Sequence, residues 1–328
     1  MKSRLAILAA ACLFTLGARG ELAIPRDRPY VLPDGSVYIV GDNTLAPLLA
    51  RWNELFARSH PGIRFTIRLA NPPAGIDGII ARVSIFAPVA HDAWESEIDP
   101  FKRLNGFRPL DIRVARIGYA GAGRDNPPSI YVNAANPFAR LDIEEVGRIF
   151  TAGRMPSDLR HWRQLGVGGE WGKHSIHAYG TRDNGETLTA LRLARFGGQP
   201  FARHYEALET DADVLEAVAG DRYGIGLAWT LDAASVPANV KRLPLSQGGA
   251  AFAGEYEDVR AGRYPLSPFA HFYLPVADGR SLDPVAREYL RTVLSPEGQR
   301  AIEAEKAGRP GLVPLTRDEA AREIARIE

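Results

Sequence analysis

The residues of this chain best placed to do chemistry are Arg182-Asp183-Asn184-Gly185-Glu186-Thr187, which follow a short apolar strand and open an amphipathic helix. A guanidinium at the mouth of a helix can hold a carboxylate or phosphate through two parallel hydrogen bonds. The positive end of the helix favours the same ligand. Arg182 is therefore a candidate anion ligand, with Asn184 and Thr187 as hydrogen-bond donors beside it. Its competing use is a surface ion pair with Asp183 or Asp211. Gly41-Asp42-Asn43-Thr44 repeats the arrangement near the amino end, again between a strand and a helix. Asn43 and Thr44 are candidates there, although Asn43 and Asn184 could equally cap their helices. Two such units facing each other would grip a small solute between two lobes.

Some residue types in these loops work against a simple anion site. Glu186 in a first helical turn occupies the field an anion needs, or points outward and only stabilises the helix. Asp42, His91 and Asp92 likewise suit a ligand that brings donors, such as an amine, a sugar or a metal-bound anion. His174 and His177 lie three apart along a strand, on opposite faces, which argues against a shared metal. No G-x-S-x-G elbow, H-E-x-x-H, P-loop or G-x-G-x-x-G is present, so the motifs suggest no catalytic centre.

The elements that must position these loops alternate. Ser36 to Val40 predicts a strand, and Ala46 to Phe56 a helix with Leu48, Leu49, Trp52 and Leu55 on one face and Pro47 in its first turn. Ile63 to Leu69, Ser84 to Ala87, Asp111 to Tyr119, Ser129 to Asn133 and Gly224 to Trp229 read as further strands. Helices are expected at Glu95 to Leu104, Val214 to Val218 and Pro284 to Ala307, the last broken at Ser295-Pro296. The alternation argues for α/β lobes with largely parallel sheets, whose ligands sit beyond the carboxyl ends of strands.

Lys2 and Arg4, an apolar run from Leu5 to Leu16, and Ala18-Arg19-Gly20 have the form of an export signal, so residues 1–20 are expected to be removed and the protein to be periplasmic. Residues 21–35 read as an irregular lead-in. The single cysteine, Cys12, lies inside the signal, and Ala9-Ala10-Ala11 lacks the bulky residue that lipid anchoring at Cys12 would call for. The mature chain then has no thiol for a disulfide or a thiolate metal site. Charge is nearly balanced, 40 basic against 39 acidic residues, and the arginines are dispersed among acids, which speaks against nucleic acid as a partner.

Several segments together resemble the phosphate-type periplasmic substrate-binding proteins of ABC transporters. They are VGDNTLAPLLARW, IYVNAANPFARLDIEEVGRIFTAG followed by WRQLG, YGTRDNGETLTAL, AVAGDRYGIGLAW and YLRTVLSPEGQRAIEAEKAGRPGLVPLT. The resemblance implies an α/β, two-lobed type II periplasmic-binding-protein fold, each lobe a mostly parallel sheet flanked by helices, with two hinge crossings. Lobe one would comprise 36–132 plus 246–328 and lobe two 133–245, with crossings near Ile130 to Asn133 and Leu243 to Gly249. It implies a monomeric, non-enzymatic clamp for phosphate or a related oxyanion, working with an inner-membrane ABC permease and needing no cofactor or metal. A transport-independent sensor using the same clamp is the alternative. The expected ligand-binding set is Asn43, Thr44, His91, Asp92, Arg182, Asn184, Gly185 and Thr187. The ligand loops depart from the family pattern: Asp42 replaces a serine, and Pro72-Pro73 stands where a Gly/Ser-rich loop is usual.

Overall fold

A computed structural model of the chain describes residues 22–71, 73–118, 127–183, 187–229, 233–304 and 311–328. The chain begins with strand β1 (Val37–Asp42), helix α1 (Ala46–Ser59), β2 (Phe65–Ala70), α2 (Pro73–Ile80), β3 (Ala87–Val89), α3 (Glu95–Asn105) and β4 (Leu110–Ile117). Pro47 sits in the first turn of α1, where its missing N–H leaves no bond unmade, and Leu48, Leu49, Trp52 and Phe56 form the buried stripe.

A second body follows: β5 (Ser129–Asn133), β6 (Leu141–Asp142), α4 (Ile143–Phe150), β7 (His177–Thr181), α5 (Thr187–Arg195), β8 (Tyr205–Leu208), α6 (Asp211–Gly220), β9 (Gly224–Ala228), β10 (Val240–Leu243), β11 (Leu245–Ser246), β12 (Ala251–Phe252) and α7 (Tyr256–Arg260). The chain then returns to the first body with β13 (Phe269–Leu274), α8 (Pro284–Leu294), α9 (Pro296–Ala304), β14 (Leu312–Val313) and α10 (Arg317–Ile327). The helical break expected at Ser295-Pro296 is the joint between α8 and α9.

The sheets are mixed rather than largely parallel. Parallel pairing joins β1 to β2, and β7 to both β8 and β9. The sheet β14-β4-β13-β3 is antiparallel throughout. The cause is the return path: β4 leaves the first body at the end where β13 re-enters it, so β13 must run against the strands on either side. In consequence the carboxyl ends of β3 and β4 lie together, at the end facing the second body.

Each body has its own core. Trp52, Phe86, Phe272 and Tyr289 anchor the first, with Phe86 stacked on Phe272 at 4.9 Å. Val146, Phe150, Trp162 and Ile225 anchor the second. Ile130 and Val132, from the expected first crossing, pack in the second core, as do Leu243 and Leu245 from the expected second. Pairing explains it: β10 is hydrogen-bonded to β5, and β11 to β6. Through Leu266 the chain contributes to the second core and from Phe269 to the first, except that Val313 of β14 packs in the second.

The LSPEGQ and GLVPL segments build scaffold. A Cβ at Gly298 would lie 2.2 Å from Thr292 O, so only glycine fits the elbow between α8 and α9. Gln299 is 8% exposed, donates from Nε2 to Val114 O (3.1 Å) and Val293 O (3.0 Å), and accepts the Leu315 N–H at 2.8 Å. One amide thus joins β4, α8 and the strand-like return before α10. Gln299→Leu strands three buried backbone groups and is expected to cost about 2–4 kcal/mol in denaturant melts; a loss below about 0.5 kcal/mol would dismiss this role.

Candidate functional site

In lobe one the site is built at the carboxyl ends of β1 and β3. Asp42 is 1% exposed, and its Oδ1 accepts the Thr44 N–H (2.9 Å) while Oδ2 accepts the Ala90 N–H (3.1 Å). The acid of the GDNT loop therefore ties two strand ends together and caps the turn into α1. A Cβ on Gly41 would come within 2.7 Å of Pro88 Cδ, so the strands approach closely only with glycine there. Asn43 is exposed, whereas Thr44 is half-buried and its hydroxyl has no hydrogen-bond partner among the described residues. His91 Nε2 lies 2.9 Å from Glu97 Oε2, and Glu97 also accepts the Trp94 N–H at the start of α3.

Asp92 is differently placed. Its Oδ1 is 2.8 Å from Nε2 of His271 on β13, a buried imidazole whose Nδ1 faces Asp111 at 3.6 Å. Burial pushes the Asp92 carboxyl up, but the His271 hydrogen bond and charge, with Arg195 and Arg113 farther off, bring it below the usual range. Asp92 is therefore an anion at neutral pH.

In lobe two, Arg182 is exposed and pairs with Glu209, rather than with Asp183 or Asp211. Asp183 is held by Thr189 Oγ1 (2.6 Å) and Arg192 Nη2 (2.9 Å). Asn184 and Gly185 lie outside the described residues, and Thr187 is the first residue of α5. At the carboxyl ends of β7, β8 and β9 lies a cavity of about 250 Å³, walled by Leu188, Leu191, Leu227 and Trp229 and carrying Thr181, Glu209, Thr210 and Asp211. The Trp229 main-chain N–H donates to Asp211 Oδ1 at 2.9 Å, and its ring packs against the first core.

The residue that reaches between the lobes is Arg195, at the end of α5. Its Nη2 donates to Ser267 O at 3.0 Å, at the return crossing. Desolvation lowers its pKa, Asp92 opposes that, and the like charges of Arg116 and Arg113 add to it. Among the described residues no carboxylate lies within ion-pair distance of Arg195. Arg113 and Arg116 both stand over the Phe269 ring, at 4.7 and 4.5 Å from its centroid. Arg116 is paired with Glu319 and Arg113 lies 3.8 Å from Glu323, so of these three guanidiniums Arg195 alone has no carboxylate within ion-pair distance among the described residues.

Asp92 is the expected ligand residue that this interface includes. Arg195, Arg113, His271 and Trp229 were not anticipated from sequence. A signal existed for Arg195: with Leu188 and Leu191 it completes an i, i+3, i+7 stripe, so a charge falls on the buried face of α5.

No family model matches the chain. The phosphate-binding protein PstS of Pseudomonas aeruginosa (strain PAO1) is 27% identical to it over 286 residues, covering 86% of this chain and 83% of the relative. Two solved structures share the fold. An ABC-type phosphate transport receptor from Vibrio cholerae superposes with a TM-score of 0.51 at 17% identity, over 85% of this chain and 100% of its own. PstS from Borrelia burgdorferi gives 0.53 at 13% identity, over 85% and 98%. In sequence and in fold, the chain is a relative of the phosphate-type periplasmic substrate-binding proteins of ABC transporters, with their two-lobed architecture.

Proposed function

We infer that the chain is an exported, non-enzymatic solute-binding protein that closes two lobes on phosphate or a related oxyanion and hands it to an ABC-type permease in the inner membrane. The observation that carries this reading is Arg195 of one lobe reaching across to donate to Ser267 O at 3.0 Å, with no carboxylate within ion-pair distance among the described residues and Asp92 of the other lobe acting on it only at longer range. A guanidinium without a carboxylate partner calls for an anion, and an ionised Asp92 can accept a proton-bearing ligand oxygen beside it. We take the two lobes as 36–118 with 267–328, and 127–266, the division that most members of the two cores follow, Val313 excepted. Hinge closure about the two crossings then brings Arg195 and Asp92 onto one ligand.

Among the described residues no helix is long and apolar enough to cross a membrane. The periplasm as compartment, the removal of residues 1–20 and a monomeric state belong to this same reading. Calorimetry of the mature chain with phosphate is expected to give a dissociation constant at or below micromolar, about −8 kcal/mol. No heat at millimolar phosphate would reject phosphate as the ligand.

A further inference from the structure

The cavity in lobe two is poorly matched to an inorganic oxyanion. At about 30 Å³ of liquid volume per water, about 250 Å³ holds roughly eight waters, more room than a lone phosphate fills. Two of its polar groups are the carboxylates of Glu209 and Asp211, and the cation beside them, Arg182, is exposed and paired with Glu209. A dianion would be repelled there. Thr181 and Thr210 add hydroxyls, and the rest of the wall is apolar, with Leu188 and Leu191 from α5 and Trp229 at the end of β9. Carboxylates beside an aromatic face form the environment that receives an ammonium group, with aliphatic carbon lying against the leucines.

The α5 face that walls the cavity with Leu188 and Leu191 also carries Arg195. Leu191 and Arg195 are four residues apart on one helical face, just over one turn, or about 6 Å along the axis. Pro128, at one crossing, lines the cavity, and Ser267, at the other, receives Arg195.

We propose that the ligand of this chain is an organic zwitterion, an oxyanion joined by a short alkyl link to a primary ammonium, with the oxyanion at Arg195 and the ammonium in the cavity between Glu209, Asp211 and Trp229. The proposal rests on the anion reading above and narrows it. Glu209 and Asp211 select for the amine, and Leu188 and Leu191 hold the link.

The test is calorimetry of the mature chain with inorganic phosphate, ethylphosphonate and 2-aminoethylphosphonate. The aminated compound is expected to bind about tenfold or more tightly than ethylphosphonate. Asp211→Asn keeps an oxygen for the Trp229 N–H, and it and Glu209→Gln, at the rim, should each shrink that ratio toward one. If phosphate or ethylphosphonate binds wild type as tightly as the aminated compound, the cavity assignment falls while the anion reading stands. A ratio unchanged in both variants also overturns it, because the amine is then read elsewhere. If none of the three binds at millimolar concentration, the anion reading falls and this one with it.

Discussion

Arg195→Ala is expected to weaken phosphate binding by about 10²–10³-fold, whereas Arg182→Ala should change it by less than about fivefold. The contrast follows from surroundings rather than residue type. Arg182 stands in solvent and spends its charge on Glu209, an exposed pair of small net worth. Arg195 is largely withdrawn from solvent, is anchored by the Ser267 carbonyl and is opposed in charge by Asp92 at longer range. Truncating a buried charged partner costs about 2–5 kcal/mol, and each 1.4 kcal/mol is about tenfold in affinity. Arg195→Lys keeps the charge but loses the planar fork, so it should recover part of the loss. Calorimetry on the three variants, with circular dichroism to verify folding, decides the matter. Abolition by Arg182→Ala with Arg195→Ala near wild type would return the anion to the loop and remove it from the lobe interface.

The sequence revealed local structure well, because helices and turns declare themselves through neighbours. Pro47, the Ser295-Pro296 break and the alternation of strands and helices all rest on such short-range signals. Sheet direction did not, since β13 acquires its orientation from a return path that begins more than a hundred residues earlier. Nor does any local pattern announce that β10 pairs with β5 and β11 with β6. In the site, Asp42 read as a misfit charge and proved to be a strand tie and cap, because its partner Ala90 lies 48 residues away. Asp92 finds its imidazole 179 residues on, at His271. What distinguishes Arg195 is the other lobe, whose Ser267 lies 72 residues along the chain.

The largest stability effect is expected from Arg116→Ala. Arg116 and Glu319 are joined by two hydrogen bonds, one of them Nε to Oε2 at 3.3 Å, with side chains 7% and 10% exposed. Glu319 also accepts the Thr316 N–H at 2.9 Å, so this carboxylate both caps α10 and fastens it to β4. Removing the guanidinium leaves a buried carboxylate without its counter-charge, at a cost of about 3–5 kcal/mol, or on the order of 10 °C in Tm. Neutralising both partners, as in Arg116→Met with Glu319→Gln, should cost less than the single change, because no charge is then stranded. The pH dependence supplies a second signature. Burial alone would raise the Glu319 pKa, and Arg116 brings it below the usual glutamate value of 4.5. A carboxyl depressed in the folded state contributes stability that is complete above its unfolded value and is lost as pH falls through the folded one. Without Arg116 the folded value rises, so the acid-side loss of stability expected of wild type should shrink in the variant. Denaturant melts between neutral pH and pH 3 measure both effects. Equal stability at neutral pH together with an unchanged acid limb would mean that the pair holds nothing in place.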